Sequence, residues 1–277
     1  LGAAKDRAEA KFVDLGGVEI TVLDEADHMA DMGFLPVVTR ILNKTPQRGQ
    51  RLLFSATLDN GVDNVVKKYL HNPILHSVDS AESPVPQLTH HVFEVAGKDQ
   101  KDALIEALAS GTGRRIFFTR MKHQAKKLAK QLTARGIPAV ELQGNLSQNA
   151  RDRNLAEFVS GEAKVLVATD VAARGVHVDG VELVVHIDPP VEHKAYLHRS
   201  GRTARAGNEG DVVTLVLPEQ RGEMKQIMRA AKIHVTPRQV NPSAATVDPE
   251  VLSLIGEVAP RVDPREIERR RAAAQTE

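Results

Sequence analysis

Between residues 98 and 217 short apolar, β-branched runs alternate with longer amphipathic stretches, and this alternation leaves few folds open. Helix is predicted over 98–109, 123–134, 149–159 and 193–200, and strand over 115–118, 139–142, 164–168, 183–187 and 211–217. Strands separated by helical stretches of this length are joined in parallel rather than as hairpins. The expected fold class is therefore α/β, with mainly parallel sheets and helices on both faces. Ligands in such folds collect at the carboxyl ends of the strands.

A shorter series comes first. Strand is predicted over 18–23, 51–54 and 74–78, helix over 36–43 and 60–70, with a turn-rich break over 43–49. Residues 79–87 combine polar side chains with Pro84 and Pro86, a composition that resists helix and suits an extended connector. A first domain is expected within 1–78 and a second over 88–236. Beyond Pro237 the pattern fades among Pro242, Pro249, Pro260 and Pro264, and 265–271 mixes charges of both signs. Residues 237–277 are expected to form a charged tail, disordered or loosely helical.

Composition narrows the class. The 277 residues are 42% hydrophobic and 26% charged, which fits a soluble globular protein of about two domains. No apolar stretch approaches the ~18–20 residues of a transmembrane helix, and the first residues lack the order of a signal peptide. With no cysteine there is neither a disulfide framework nor a thiolate metal site, which is compatible with a cytoplasmic location. A net charge of +1 does not announce a nucleic-acid partner, so any basic surface must be local.

The chemistry is concentrated where strands end. Asp24, Glu25, Ala26 and Asp27 close the apolar run 18–23, and adjacent carboxylates at a sheet edge can hold a magnesium ion and polarise a water. Ser55-Ala56-Thr57 follows the run 51–54, and Thr119 follows 116–118. Val165 to Asp170 leads into Ala173-Arg174-Gly175, and then comes His198-Arg199-Ser200-Gly201-Arg202-Thr203-Ala204-Arg205. Each element alone is a weak signal. In this order, over about 180 positions, they closely resemble the DEAD-box RNA helicases, with the likeness covering roughly residues 14–235.

The resemblance implies tandem recombinase-like domains, the first incomplete, with ATP and Mg2+ as cofactors and RNA as partner. It implies that Asp24 and Glu25 position the metal and the attacking water, with Glu25 as general base. Arg202 and Arg205 are implied as arginine fingers for the charge that spreads over the transferring phosphoryl group. Ser55 and Thr57 are implied to link hydrolysis to strand separation through Asp27 and His198. Asp170 and Arg174 are implied to sense domain docking, and Gly175 and His177 belong to the same nucleotide-contacting stretch. Thr119, Gly144, Gln148, Arg151 and Thr169 are implied to approach the RNA sugar-phosphate backbone, which gives little sequence preference. Stacking has a small part, because only 3% of residues are aromatic.

Three departures from the family pattern stand out. His177 occupies the place of an aspartate that bonds the nucleotide ribose. Ala204 stands where many members have glycine, and ordinary helical or extended backbone is expected there. No Walker A loop precedes Asp24, since Leu1-Gly2-Ala3-Ala4 has neither the glycine pair nor the Lys-Ser/Thr pair of a phosphate cradle. A fragment of a helicase, inactive by itself, is therefore expected. The alternatives are an ATPase-incompetent RNA-binding or regulatory fragment and a partner-binding scaffold; Glu25, Arg202 and Arg205 argue against the scaffold.

Overall fold

The computed structural model describes residues 13–55, 58, 61–76, 88–173, 178–204, 209–241 and 248–273. They belong to two compact units, divided in the chain between Ser83 and Pro84. Among these residues no helix is long and apolar enough to cross a membrane.

In the first unit β1 (Ile20–Leu23) and β2 (Gln50–Leu53) run parallel, with Ile20 opposite Gln50 and Leu23 opposite Leu53. The crossover between them contains α1 (Ala26–Asp31) and α2 (Leu35–Leu42), and α3 (Val62–Tyr69) follows. Val38, Leu42, Val65 and Tyr69 are buried together, and Leu23 and Leu53 pack against them. Because side chains alternate across a strand, Ile20, Val22 and Leu52 fall on the opposite face and stay exposed. Arg51 ties the unit together: its guanidinium donates to the Tyr69 carbonyl at 3.0 Å and to Thr45 Oγ1 at 3.1 Å, beside the Tyr69 ring. The strand expected over 74–78 is not formed by residues 74–76. Ile74 is 82% exposed, and the described sheet here is two-stranded, so that apolar run has no ladder to join.

The second unit is built on seven parallel strands. In chain order they are β3 (Leu88–Glu94), β4 (Arg114–Phe118), β5 (Ala139–Leu142), β6 (Val165–Ala168), β7 (Val181–His186), β8 (Gly210–Val216) and β9 (Arg238–Gln239). Their spatial order is β5-β6-β4-β7-β8-β3-β9. The period-two rule distributes each strand between two cores: Phe117, Val165, Val167 and Val185 into one, Ile116, Phe118, Leu166 and Val184 into the other. The first core is covered by α4 (Lys98–Ala109) and α5 (Lys122–Ala134). The second receives Phe158 from α6 (Gln148–Ser160), Ala172 and Ala173 from α7 (Asp170–Ala173), Tyr196 from α8 (His193–Ser200), and Met224 and Ile227 from α9 (Arg221–Ala230).

Strand β3 and helix α9 are not expected from the sequence. His90 and His91 interrupt the apolar alternation of β3, yet the strand pairs with β8 over its whole length, from Leu88 opposite Gly210 to Glu94 opposite Val216. Both rings find partners. His90 Nδ1 lies 2.9 Å from the Tyr196 hydroxyl, and His91 lies between Asp211 (Nε2, 2.9 Å) and Glu250 (Nδ1, 2.5 Å).

The described part of the expected tail is helical over two segments, one of the two expected alternatives, and is folded onto this unit rather than loose. β9 adds to the sheet beside β3, and α10 (Pro249–Ile255) and α11 (Pro264–Ala273) pack on the outside. Val240, Val251, Ile255 and Ile267 are buried; spaced so thinly among charges, they give no periodic signal. Polar anchors complete the attachment. Arg271 of α11 pairs with Glu157 and donates to the Ala139 carbonyl. Buried Arg115 of β4 donates to the carbonyls of Leu108, Leu254 and Ile255, at the C-terminal ends of α4 and α10. Burial lowers its pKa to about 10, opposed by the charge of Glu182. Gly111 leaves the space for this guanidinium, since a Cβ there would lie 1.7 Å from Arg115 Nη2.

Two outcomes follow from these anchors. Arg115→Met keeps most of the stem and strands three carbonyls, each worth about 1–3 kcal/mol when orphaned. Urea unfolding is expected to lose roughly 3 kcal/mol or more; an unchanged midpoint would mean that packing alone holds the helix ends. For His91, burial opposes the charged ring, but the hydrogen bonds and charges of Asp211 and Glu250 outweigh it and raise the pKa above its usual value. A raised folded pKa adds stability that is full below the ordinary histidine pKa and is lost as pH rises through the folded value. The stability difference between the native chain and His91→Gln is therefore expected to be largest in mild acid and to shrink toward alkaline pH. His90 and His186, whose pKa values are lowered, act in the opposite sense and remain in both proteins.

Candidate functional site

The acidic cluster of the first unit forms where β1 turns into α1. Glu25 adopts a left-handed backbone (φ 50°, ψ 48°), unusual for a residue with a Cβ and costing about 1–2 kcal/mol. The turn is held on both sides: Phe54 N–H donates to the Leu23 carbonyl and Ala26 N–H to that of Phe54. Asp27 N–H donates to Ser55 Oγ at 3.0 Å, which sets the Ser55 hydroxyl beside the backbone of Asp27. Asp24 accepts the Glu25 N–H at 2.9 Å and faces solvent, while the Asp27 side chain is buried.

Among the described residues no group of three or more histidine, aspartate or glutamate side chains is arranged to hold a metal ion. Magnesium does not require one. It retains several waters and takes one or two carboxylates beside substrate phosphates, and Asp24 and Glu25 at a strand end fit that donor set.

In the second unit a shallow hollow lies at the carboxyl ends of β4 and β6, lined by Phe118, Asp170, Ala173, His198, Arg199 and Arg202. Arg199 organises it. Its guanidinium, 1% exposed, donates to both oxygens of Asp170 (Nε to Oδ1 2.5 Å, Nη2 to Oδ2 2.7 Å) and to the Asp188 carbonyl, and lies 5.3 Å from the Phe118 ring centre. Such a bidentate pair, buried on the arginine side and partly exposed at Asp170, fixes both side chains in direction as well as charge. The role of Arg199 is not read from the sequence, although it stands within the run 198–205; a charged residue three positions after the apolar core residue Tyr196, on the same face of α8, was the available signal.

Below the hollow, His186 is fully buried against the Tyr196 ring, its Nδ1 3.3 Å from Thr214 Oγ1. Burial, then the charges of Arg199 and His90, press its pKa well below the usual value, so the ring is neutral. Burial likewise lifts the Tyr196 phenol to about 12.

The residues expected at RNA lie along the same carboxyl edge at different depths. Thr119 and Thr169 are buried; Thr119 Oγ1 donates to the Met121 carbonyl, and Thr169 Oγ1 has no hydrogen-bond partner among the described residues. Gly144 and Gln148 are exposed, and Gln148 donates to Asp152. Arg151 donates to the Ala172 carbonyl of α7 and is half-buried. Thr57, Arg174, Gly175, His177 and Arg205 lie outside the described residues.

Ala204 departs from expectation. Its φ is +53°, left-handed, in place of the helical or extended backbone expected. Thr203 anchors the turn by donating to the Val181 carbonyl, and Gly210 packs so close that a Cβ there would lie 2.6 Å from Ala204 N. The fold, rather than the local residue, sets this conformation.

Comparison with known proteins agrees with this arrangement. Residues 3–65 match the family model described as DEAD/DEAH box helicase, and residues 99–207 match the helicase conserved C-terminal domain. The chain is 39% identical over 201 residues to the ATP-dependent RNA helicase RhlB of Pseudomonas syringae pv. tomato, covering 72% of this chain and 51% of that protein. It is 37% identical over 232 residues to the DEAD-box ATP-dependent RNA helicase CshA of Bacillus cereus, covering 83% and 44%. Among solved structures, S. cerevisiae Dbp5 bound to RNA and ADP BeF3 superposes with a TM-score of 0.78 at 27% identity, over 92% of this chain and 68% of that one. The chain belongs to the DEAD-box RNA helicase family. It spans about half the length of the curated relatives it matches.

The strain at Ala204 is testable. A left-handed backbone costs an L residue about 1–2 kcal/mol, and the greater unfolded-state freedom of glycine takes back about 0.5–1 kcal/mol. Ala204→Gly is expected to stabilise the chain by roughly 0.5–1 kcal/mol in urea unfolding; destabilisation would show that the buried methyl outweighs the strain.

Proposed function

We propose that the chain carries motor elements of an ATP-dependent RNA helicase that couples ATP hydrolysis to local separation of an RNA duplex. The observation that supports this most directly is the Asp170–Arg199 pair, which sets His198 and Arg202 around one hollow at the carboxyl edge of the sheet. In this reading Asp24 and Glu25 hold magnesium, which when bound supplies positive charge to the phosphate oxygens. Glu25 orients and deprotonates the attacking water, its backbone fixed by the strained turn. Arg202 and Arg205 neutralise charge on the transferring phosphoryl group, and Arg199, already matched by Asp170, acts as their platform.

Ser55, Thr57, Asp27 and His198 couple the hydrolytic state to RNA. Arg174, Gly175 and His177 are assigned to the nucleotide, with His177 offering an imidazole to the ribose. Thr119, Gly144, Gln148, Arg151 and Thr169 form the edge along which the RNA backbone runs; in Dbp5 the related fold is recorded with RNA and ADP BeF3.

The 277 residues contain no Gly-x4-Gly-Lys-Ser/Thr run, so the reading includes that this chain alone does not turn over ATP. RNA-stimulated ATP hydrolysis tests both parts. The chain by itself is expected to be silent, and a fusion supplying the Walker A half of a relative's first domain is expected to turn over. In the fusion, Arg202→Ala is expected to lower the rate by about 10³ or more. Turnover by the chain alone would overturn the need for an added cradle, and an undiminished Arg202→Ala fusion would overturn the role of this arginine.

A further inference from the structure

Helix α5 begins just after Thr119, beside the edge assigned above to RNA, and its sequence KHQAKKLAKQLTA contains four lysines and no acidic residue. At 100° per residue, Lys122, Lys126 and Lys130 follow one another up a single face, with His123 and Lys127 on its flank. Ala125, Ala129 and Leu132 occupy the buried side. All four lysines are exposed.

Lys122 starts the row at the edge itself. Its Nζ donates to Asn145 Oδ1 at 3.0 Å, and its Cε lies 3.3 Å from where a Cβ on Gly144 would be. The other three follow one to two turns further along the helix. Among the described residues no carboxylate lies within ion-pair distance of Lys126, Lys127 or Lys130. Of the acids on α4, α6 and α11, Glu106 pairs with Arg135 and Arg261, Glu157 with Arg271, and Glu266 with Arg269 and Arg270. On a chain of net charge +1, an uncompensated row of this kind is a local field that the average conceals.

We propose that the exposed face of α5 is a second RNA contact, a phosphate-binding track that receives single-stranded RNA as it leaves the Gly144 edge. The proposal rests on the RNA reading of that edge and extends it. Lys122 joins the two surfaces, and Lys126 and Lys130 continue outward over about 12 Å of helix. Ammonium groups on flexible stems recognise phosphate as charge, so the track extends the footprint without adding sequence preference.

Binding of the whole 277-residue chain to oligouridylates of about 5 and about 15 nucleotides, lengths that bracket common single-strand site sizes, tests this across a salt series. The variant Lys126→Gln/Lys127→Gln/Lys130→Gln removes three charges from exposed positions and leaves Lys122 in place. For the longer RNA the slope of log affinity against log salt is expected to fall by about 2, from about 0.7 per phosphate contact on a single strand. Affinity for the short RNA is expected to stay the same, and arginine at the three positions is expected to restore the long-RNA slope. An unchanged slope for the longer RNA, with binding intact, overturns the track alone. Failure of the native chain to bind either RNA overturns the RNA edge and the track together. Equal losses for both lengths would show a general charge effect and also overturn the track.

Discussion

Arg115 stands in the middle of a parallel sheet, 2% exposed, and meets the terminal carbonyls of two helices that lie far apart in the chain. A cation there satisfies acceptors that no intrahelical N–H can reach, and it opposes the negative ends of both helix dipoles. The arrangement is possible because Gly111 has no side chain and because α10 returns to the sheet beside α4. Residues 248–273 are in this way part of the second unit's structure. Their Val251 and Ile255 join Ile105, Leu108 and Ile137 in one buried cluster, and Val262 N–H donates to the Gly136 carbonyl.

The functional edge rests on a second arrangement of buried charge. Asp170 and Arg199 satisfy each other across the mouth of the sheet, and the neutral His186 and protonated Tyr196 beneath them carry no competing charge. A buried guanidinium next to a protonated imidazole would be repelled; lowering the histidine pKa removes that conflict. What reaches the rim is then a fixed set of polar groups on a rigid sheet. Two left-handed residues, Glu25 and Ala204, lie at turns beside the proposed sites, and both are held by backbone hydrogen bonds or close packing around them. Strain of this kind persists only where the surroundings over-determine it.

Much of the second unit is legible in the chain. Strands over 115–118, 139–142 and 164–168 and helices over 123–134 and 193–200 stand within a residue or so of β4, β5, β6, α5 and α8, because a strand buried on both faces and an amphipathic helix each leave a periodic trace. The motif residues before and after those elements are likewise visible. What is not visible has a common cause. His90 and His91 make β3 look polar, and only the Tyr196, Asp211 and Glu250 side chains from other elements make them suitable for a strand. Ile74 and Leu75 look like a strand, but a strand exists only with a neighbour to bond.

The sequence by itself determined the alternation of elements, the parallel sheet that follows from it, and the family to which the motifs point, since all three depend on local pattern and order. Tertiary structure alone decided that residues 248–273 close the second unit, that Arg199 belongs to Asp170, and that Ala204 takes a left-handed backbone. Each of these depends on partners brought from distant positions, and a buried charge or a strained dihedral becomes favourable only once those partners are in place.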